Sequence, residues 1–78
     1  MHVDNVLKDV HDEVDLITEQ YGSFRSAHEG LGVIFEEFEE LKQEVFMKKE
    51  NRDISDMRKE ALHVAATAVR FIMDICDG

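Results

Sequence analysis

Glu36, Glu37, Glu39, Glu40 and Glu44 fall within nine residues of one another, relieved only by Lys42. At about 100° per residue, Glu37, Glu40 and Glu44 share one flank of a helix, beside a stripe that holds Phe38 and Leu41. A second group follows in Glu60 and His63, with Thr67 and Arg70 one and two turns further along the border of another apolar face. Both polar flanks adjoin surface that a helical bundle would bury. Carboxylates gathered at such a seam either take up protons or bind a cation, because their mutual repulsion grows as water is excluded. Oxygen ligands suit hard divalent ions, Mg²⁺ or Mn²⁺. The alternative for the same acids is a solvated face, since like-charge pairs one turn apart on an exposed helix cost only about 0.2–0.5 kcal/mol.

Three helices must position these groups. Val3, Leu7, Val10, Val14, Ile17, Tyr21 and Phe24 recur at spacings of four and three, predicting a helix over 3–20 that stops at Gly22. Ser26-Ala27-His28-Glu29 has the form of a capping box and opens a helix over 27–49, whose stripe is Leu31, Ile34, Phe35, Phe38, Leu41 and Val45. Residues 48–52 contain no apolar side chain, and Asp53 or Ser55 can cap a third helix over 54–76. The row Ala61, Ala65 and Ala68 is small enough to admit another helix closely, which places the third helix at the centre. No strand-like alternation and no repeat interrupts this pattern. The fold expected is an all-α, antiparallel bundle of three helices, a single domain over 1–78. A chain of 78 residues buries only about 60% of the surface its unfolded form exposes, so completion by oligomerisation, to a homodimer or homotetramer, is expected as well.

Nine basic against eighteen acidic side chains leave a net charge of −9, which argues against a nucleic-acid partner, because counterion release needs a basic face. No apolar run approaches the roughly 18 residues of a membrane span. Residues 1–8 lack a basic segment followed by an apolar stretch, and a lone Cys76 cannot form an internal disulfide, so a cytoplasmic location is expected, with Cys76 as a small buried or interfacial hydrophobe.

The segment Ser26-Ala27-His28-Glu29-Gly30-Leu31-Gly32-Val33-Ile34-Phe35-Glu36-Glu37-Phe38-Glu39-Glu40-Leu41, followed by Met57-Arg58-Lys59-Glu60-Ala61-Leu62-His63-Val64-Ala65-Ala66-Thr67-Ala68-Val69-Arg70-Phe71-Ile72, resembles the MazG-like branch of the all-α nucleoside triphosphate pyrophosphohydrolases. The likeness spans about residues 24–77. The family pattern is Glu-Glu-x-x-Glu on one helix and Glu-x-x-Asp on the next. Glu36, Glu37 and Glu40 match the first part and Glu60 begins the second. What the resemblance implies is an oligomeric bundle that holds Mg²⁺ (or Mn²⁺) on these acids and hydrolyses a nucleoside triphosphate to the monophosphate and pyrophosphate. Carried over by position, Glu37, Glu40 and Glu60 become metal ligands, and Glu36 a further ligand or the catalytic group that orients the attacking water. His63 stands where the family has aspartate, so an imidazole replaces an anionic oxygen. The three expected helices end two residues before Gly78, so the fourth helix of many relatives is expected to be missing or supplied by another subunit. Lys48, in the basic cluster with Lys49 and Arg52, and Arg70 are the candidate phosphate contacts, with an ion pair to Asp74 as the other role for Arg70.

Two further readings stand beside this one. Glu60-x-x-His63 has the i,i+3 spacing of ferritin-like dimetal carboxylate bundles, in which imidazole favours a transition metal over Mg²⁺. A non-catalytic helical oligomer acting through protein contacts would keep the bundle without the chemistry. Which way His63 points separates these readings.

Overall fold

In the computed structural model, which describes residues 2–78, the chain forms α1 (Val3–Tyr21), α2 (Ala27–Val45) and α3 (Ile54–Phe71), with no strand among the described residues. Local chemistry sets each start. Ser26 Oγ accepts the Glu29 N–H at 3.1 Å, and Asp53 Oδ1 accepts the N–H groups of Ser55 at 2.8 Å and Asp56 at 3.3 Å, so of the two candidates Asp53 is the cap of α3. The Glu29 carboxylate reaches back to the Arg25 N–H at 3.4 Å, one residue before the donor that a regular capping box uses. At Gly22 φ is +75°, a value side chains disfavour, and its N–H closes α1 on the Thr18 carbonyl at 2.8 Å.

α2 ends at Val45, four residues short of the predicted boundary. Beyond it, residues 48–52 offer nothing apolar to hold against the bundle, and they form a 3₁₀ turn over Lys49–Asn51, with Arg52 Nε donating to the Met47 carbonyl at 3.3 Å. α3 itself ends at Phe71, and a π-helical turn, Ile72–Cys76, continues it to the boundary expected of it, with the Asp77 N–H on the Ile72 carbonyl five residues back.

α3 packs against both other helices. Asp9 against Arg58, Glu13 against His63 and Gly22 against Arg70 place α1 parallel to it, while Gly30 against Phe71 and Glu37 against His63 place α2 antiparallel. The core is Val10, Val14 and the fully buried Ala66, surrounded by half-buried Val6, Ile17, Leu62 and Ala65. Close approach therefore uses Ala65 and Ala66; Ala61 and Ala68 of the expected row are exposed, because α3 is rotated by about one residue from the face that row defines. The same holds for α1, where Val6 faces the core and Val3, Leu7 and Tyr21 do not. Cys76 is exposed and not buried as expected.

The α2 stripe is the least covered part of the molecule. Leu31, Phe35 and Phe38 expose 55%, 61% and 51% of their surface, and Val69, Ile72 and Met73 at the end of α3 are also open. Among the described residues no helix is long and apolar enough to cross a membrane.

Candidate metal centre

Glu37 and Glu40 lie one turn apart on α2, and Glu60 and His63 one turn apart on α3, so each helix presents its pair on a single edge. The antiparallel packing of the two helices brings the edges together: one ligand atom from each of the four side chains falls within 4.8 Å of all the others. His63 faces into this group, with Nδ1 3.4 Å from Glu37 Oε2 and 3.5 Å from Glu60 Oε2. Those two carboxylate oxygens are buried and have no hydrogen-bond partner. Burying an unpaired polar atom costs about 1–3 kcal/mol, and more when it is charged, so the centre holds acceptors in want of a cation or a proton.

The electrostatics carry the same sign. Burial raises the Glu37 carboxyl above its ordinary value, Glu40 and Glu60 push it further, and His63 opposes them. Glu60 is likewise raised, first by burial and then by Glu40, against His63 and Lys59. Three carboxylates and one imidazole, all but the exposed Glu40 partly desolvated, suit a divalent ion, which would neutralise the repulsion and fill the orphaned positions.

A cleft of about 650 Å³ opens beside the centre. Glu13, Glu36, Glu37 and His63 line it toward the centre, Leu16, Ile17 and Val33 give it apolar walls, and Phe24, Arg25 and Arg70 belong to its other part, near the α1–α2 connection. Arg70 is only 4% exposed. Its Nη2 donates to the Gly22 carbonyl at 2.9 Å and its guanidinium lies 4.3 Å over the Phe24 ring, while Nε has no partner. The ion pair with Asp74 does not form, because the Asp74 carboxylate instead accepts the Phe24 N–H at 2.9 Å and pins the connection to the π-helical turn that follows α3. Thr67 is buried on the same wall, its hydroxyl donating to the His63 carbonyl.

Glu37, Glu40, Glu60 and His63 are thus the sequence candidates that the fold unites. Glu36 lines the cleft but is exposed and lies outside the four-residue group. Arg70 is in the cleft wall, whereas Lys48 is exposed past the end of α2 and away from the cleft lining. Glu44, on the expected flank, is half-buried and outside the group. Sequence reasoning missed Glu13, whose Oε1 lies 3.1 Å from His63 Nε2. Glu13 borders the Val10, Val14 and Ile17 stripe as Glu37 borders that of α2, but no pattern reports the rotation that sets it opposite His63. Comparison with protein-family models, curated proteins and solved structures finds no match to this chain.

Proposed function

We propose that the protein is a cytoplasmic, divalent-metal-dependent hydrolase of nucleoside triphosphates, releasing the monophosphate and pyrophosphate. The observation that carries the reading is the convergence of Glu37, Glu40, Glu60 and His63, with two buried oxygens unpartnered, beside a cleft of about 650 Å³ that Glu37 and His63 line. These four residues would hold Mg²⁺ or Mn²⁺. Such an ion supplies charge neutralisation of a polyphosphate and makes a water more acidic. The chain's own part is to fix the ligands on rigid helices, to place the Glu36 carboxylate at the cleft, where it can accept a proton from an attacking water, and to set Arg70 in the wall. An acidic protein can take an anionic substrate in this way because the bound ion reverses the local sign of charge.

Calorimetric titration of the metal-free protein with Mg²⁺ and Mn²⁺, with and without a non-hydrolysable triphosphate, tests this reading. Stoichiometric binding, tightened by the nucleotide and lost in Glu37→Ala, is expected, together with release of pyrophosphate from at least one triphosphate of a panel. Failure of both ions to bind overturns it and leaves the helical interaction module.

The working form in this proposal is a homo-oligomer. Support comes from Leu31, Phe35 and Phe38, spaced on one stripe of α2 and half or more exposed, since covering the open half of each side chain would contribute roughly 1 kcal/mol to association. Sedimentation should show a dimer or tetramer that Phe35→Asp converts to monomer; a wild-type monomer at high concentration would remove this part of the proposal.

A further inference from the structure

Of the nine basic side chains, Arg70 alone is buried, and the other eight are exposed. A guanidinium carries a fixed charge and five N–H donors, and removing it from water is costly unless acceptors meet it. The chain meets this one only in part. Nη2 donates to the Gly22 carbonyl at 2.9 Å and the guanidinium lies over the Phe24 ring, but the buried Nε has no acceptor. Among the described residues Arg70 forms no ion pair, although the chain holds eighteen acidic side chains. Asp74, one turn along the same stretch of chain, accepts the Phe24 N–H instead. The tie between Arg70 and the α1–α2 connection thus leaves the charge uncompensated.

This cation lines the 650 Å³ cleft, as does the exposed Arg25. Glu29, also in the lining, is turned to the Arg25 N–H and pairs with neither guanidinium. Arg70 follows His63 by seven residues on α3, which separates the two by about 10 Å along the helix axis. We propose that the Arg70 end of the cleft is a seat for the oxyanion, phosphoryl or carboxylate, of a small organic ligand whose body lies along Leu16, Ile17 and Val33. The oxyanion supplies the charge and the acceptors that the chain withholds from Arg70, and Arg25 adds a second cation. Gly22 and Phe24 already hold the guanidinium in place, so binding has little left to order. The seat requires no bound ion and does not rest on the metal centre.

Proton–nitrogen NMR titrations of the full chain test this, in excess chelator and at constant ionic strength, with phenyl phosphate, benzoate, inorganic phosphate and benzylamine as probes. Phenyl phosphate or benzoate should saturate, moving the Arg70 Nε–H resonance and the amides of Gly22, Phe24 and Arg25; the tighter of the two identifies the oxyanion. Inorganic phosphate should bind more weakly than phenyl phosphate, because it leaves the apolar walls bare. Arg70→Lys keeps the charge but loses the planar fork and should weaken anion binding about tenfold or more. Arg25→Gln, at an exposed position, should weaken it by a smaller factor, about threefold. Melts establish whether Arg70→Lys is folded; should it not be, the Nε–H shift of the wild type and the Arg25→Gln loss decide. Benzylamine binding as tightly as the anions, an Nε–H resonance that no anion moves, or anion affinity unchanged in folded Arg70→Lys and in Arg25→Gln would each overturn the seat and leave Arg70 as a tie to the α1–α2 connection. Loss of the metal reading leaves the seat standing, and absence of anion binding leaves the metal reading standing.

Discussion

Glu37→Gln is expected to make the metal-free protein more stable and the metal-binding protein useless. Glu37 and Glu60 both have carboxyls raised above the ordinary glutamate value of 4.5, by burial first and by neighbouring carboxylates next. Between 4.5 and those raised values the folded state therefore holds more protons than the unfolded one. Unfolding free energy falls with rising pH wherever that is so, and the full penalty of the ionised pair is present once pH exceeds the folded-state values. Metal-free wild-type protein should accordingly lose thermal stability as the pH is raised through this window toward neutrality. The neutral amide of Glu37→Gln removes one of the charges and relieves its neighbour, so the slope should flatten and the melting temperature at neutral pH should rise.

Metal reverses the ranking. An ion present at a hundred times its dissociation constant stabilises the folded state by about 2.7 kcal/mol, and the wild type should gain that increment while Glu37→Gln gains almost none. Losing a ligand should cost more than the roughly hundredfold that losing a group supporting one costs. Thermal melts across pH, with and without Mn²⁺, read all of this in one series. Identical pH profiles for the two proteins would mean that water solvates the acids freely and that the α2 carboxylates form an ordinary exposed face.

Gly30 and Gly32, two residues apart on α2, should respond in opposite directions to the same substitution. Alanine at Gly32 would meet nothing within 4 Å, so the change should yield the usual gain over glycine in a helix, about 1 kcal/mol. A Cβ at Gly30 would stand 2.7 Å from Phe71 Cδ2, 3.1 Å from its Cε2 and 3.2 Å from Phe24 Cδ2. Neither ring is free to yield cheaply: Phe24 lies under the Arg70 guanidinium and its N–H is held by Asp74, while Phe71 sits where α3 changes pitch. Gly30→Ala should therefore lose stability despite its better helix propensity. Gly30→Leu should cost about 3 kcal/mol or more, at the upper end of the range for overpacking. Urea denaturation of the three variants measures the contrast. Equal gains from alanine at both positions would show that α2 and α3 do not approach closely at Gly30.

Much of this architecture is legible along the chain. Ser26 and Asp53 open α2 and α3 because capping is a matter of a few consecutive residues, and the break at 48–52 follows from the lack of anything to bury there. Glu37 with Glu40, and Glu60 with His63, share helix edges because 3.6 residues per turn require it. Local periodicity says nothing, however, about how far each helix turns on its axis when it packs. Sub-turn rotations decided that Ala66 and not Ala61 or Ala68 enters the core, that Glu36 and Glu44 stay outside the centre, and that Glu13 meets His63. Only the tertiary structure could send Arg70 to the Gly22 carbonyl, 48 residues away in sequence, in preference to Asp74 one turn along its own helix. The reason is physical: caps and helix edges depend on neighbours within one or two turns, whereas a seam between helices is settled by side-chain volumes and hydrogen bonds contributed from all three at once.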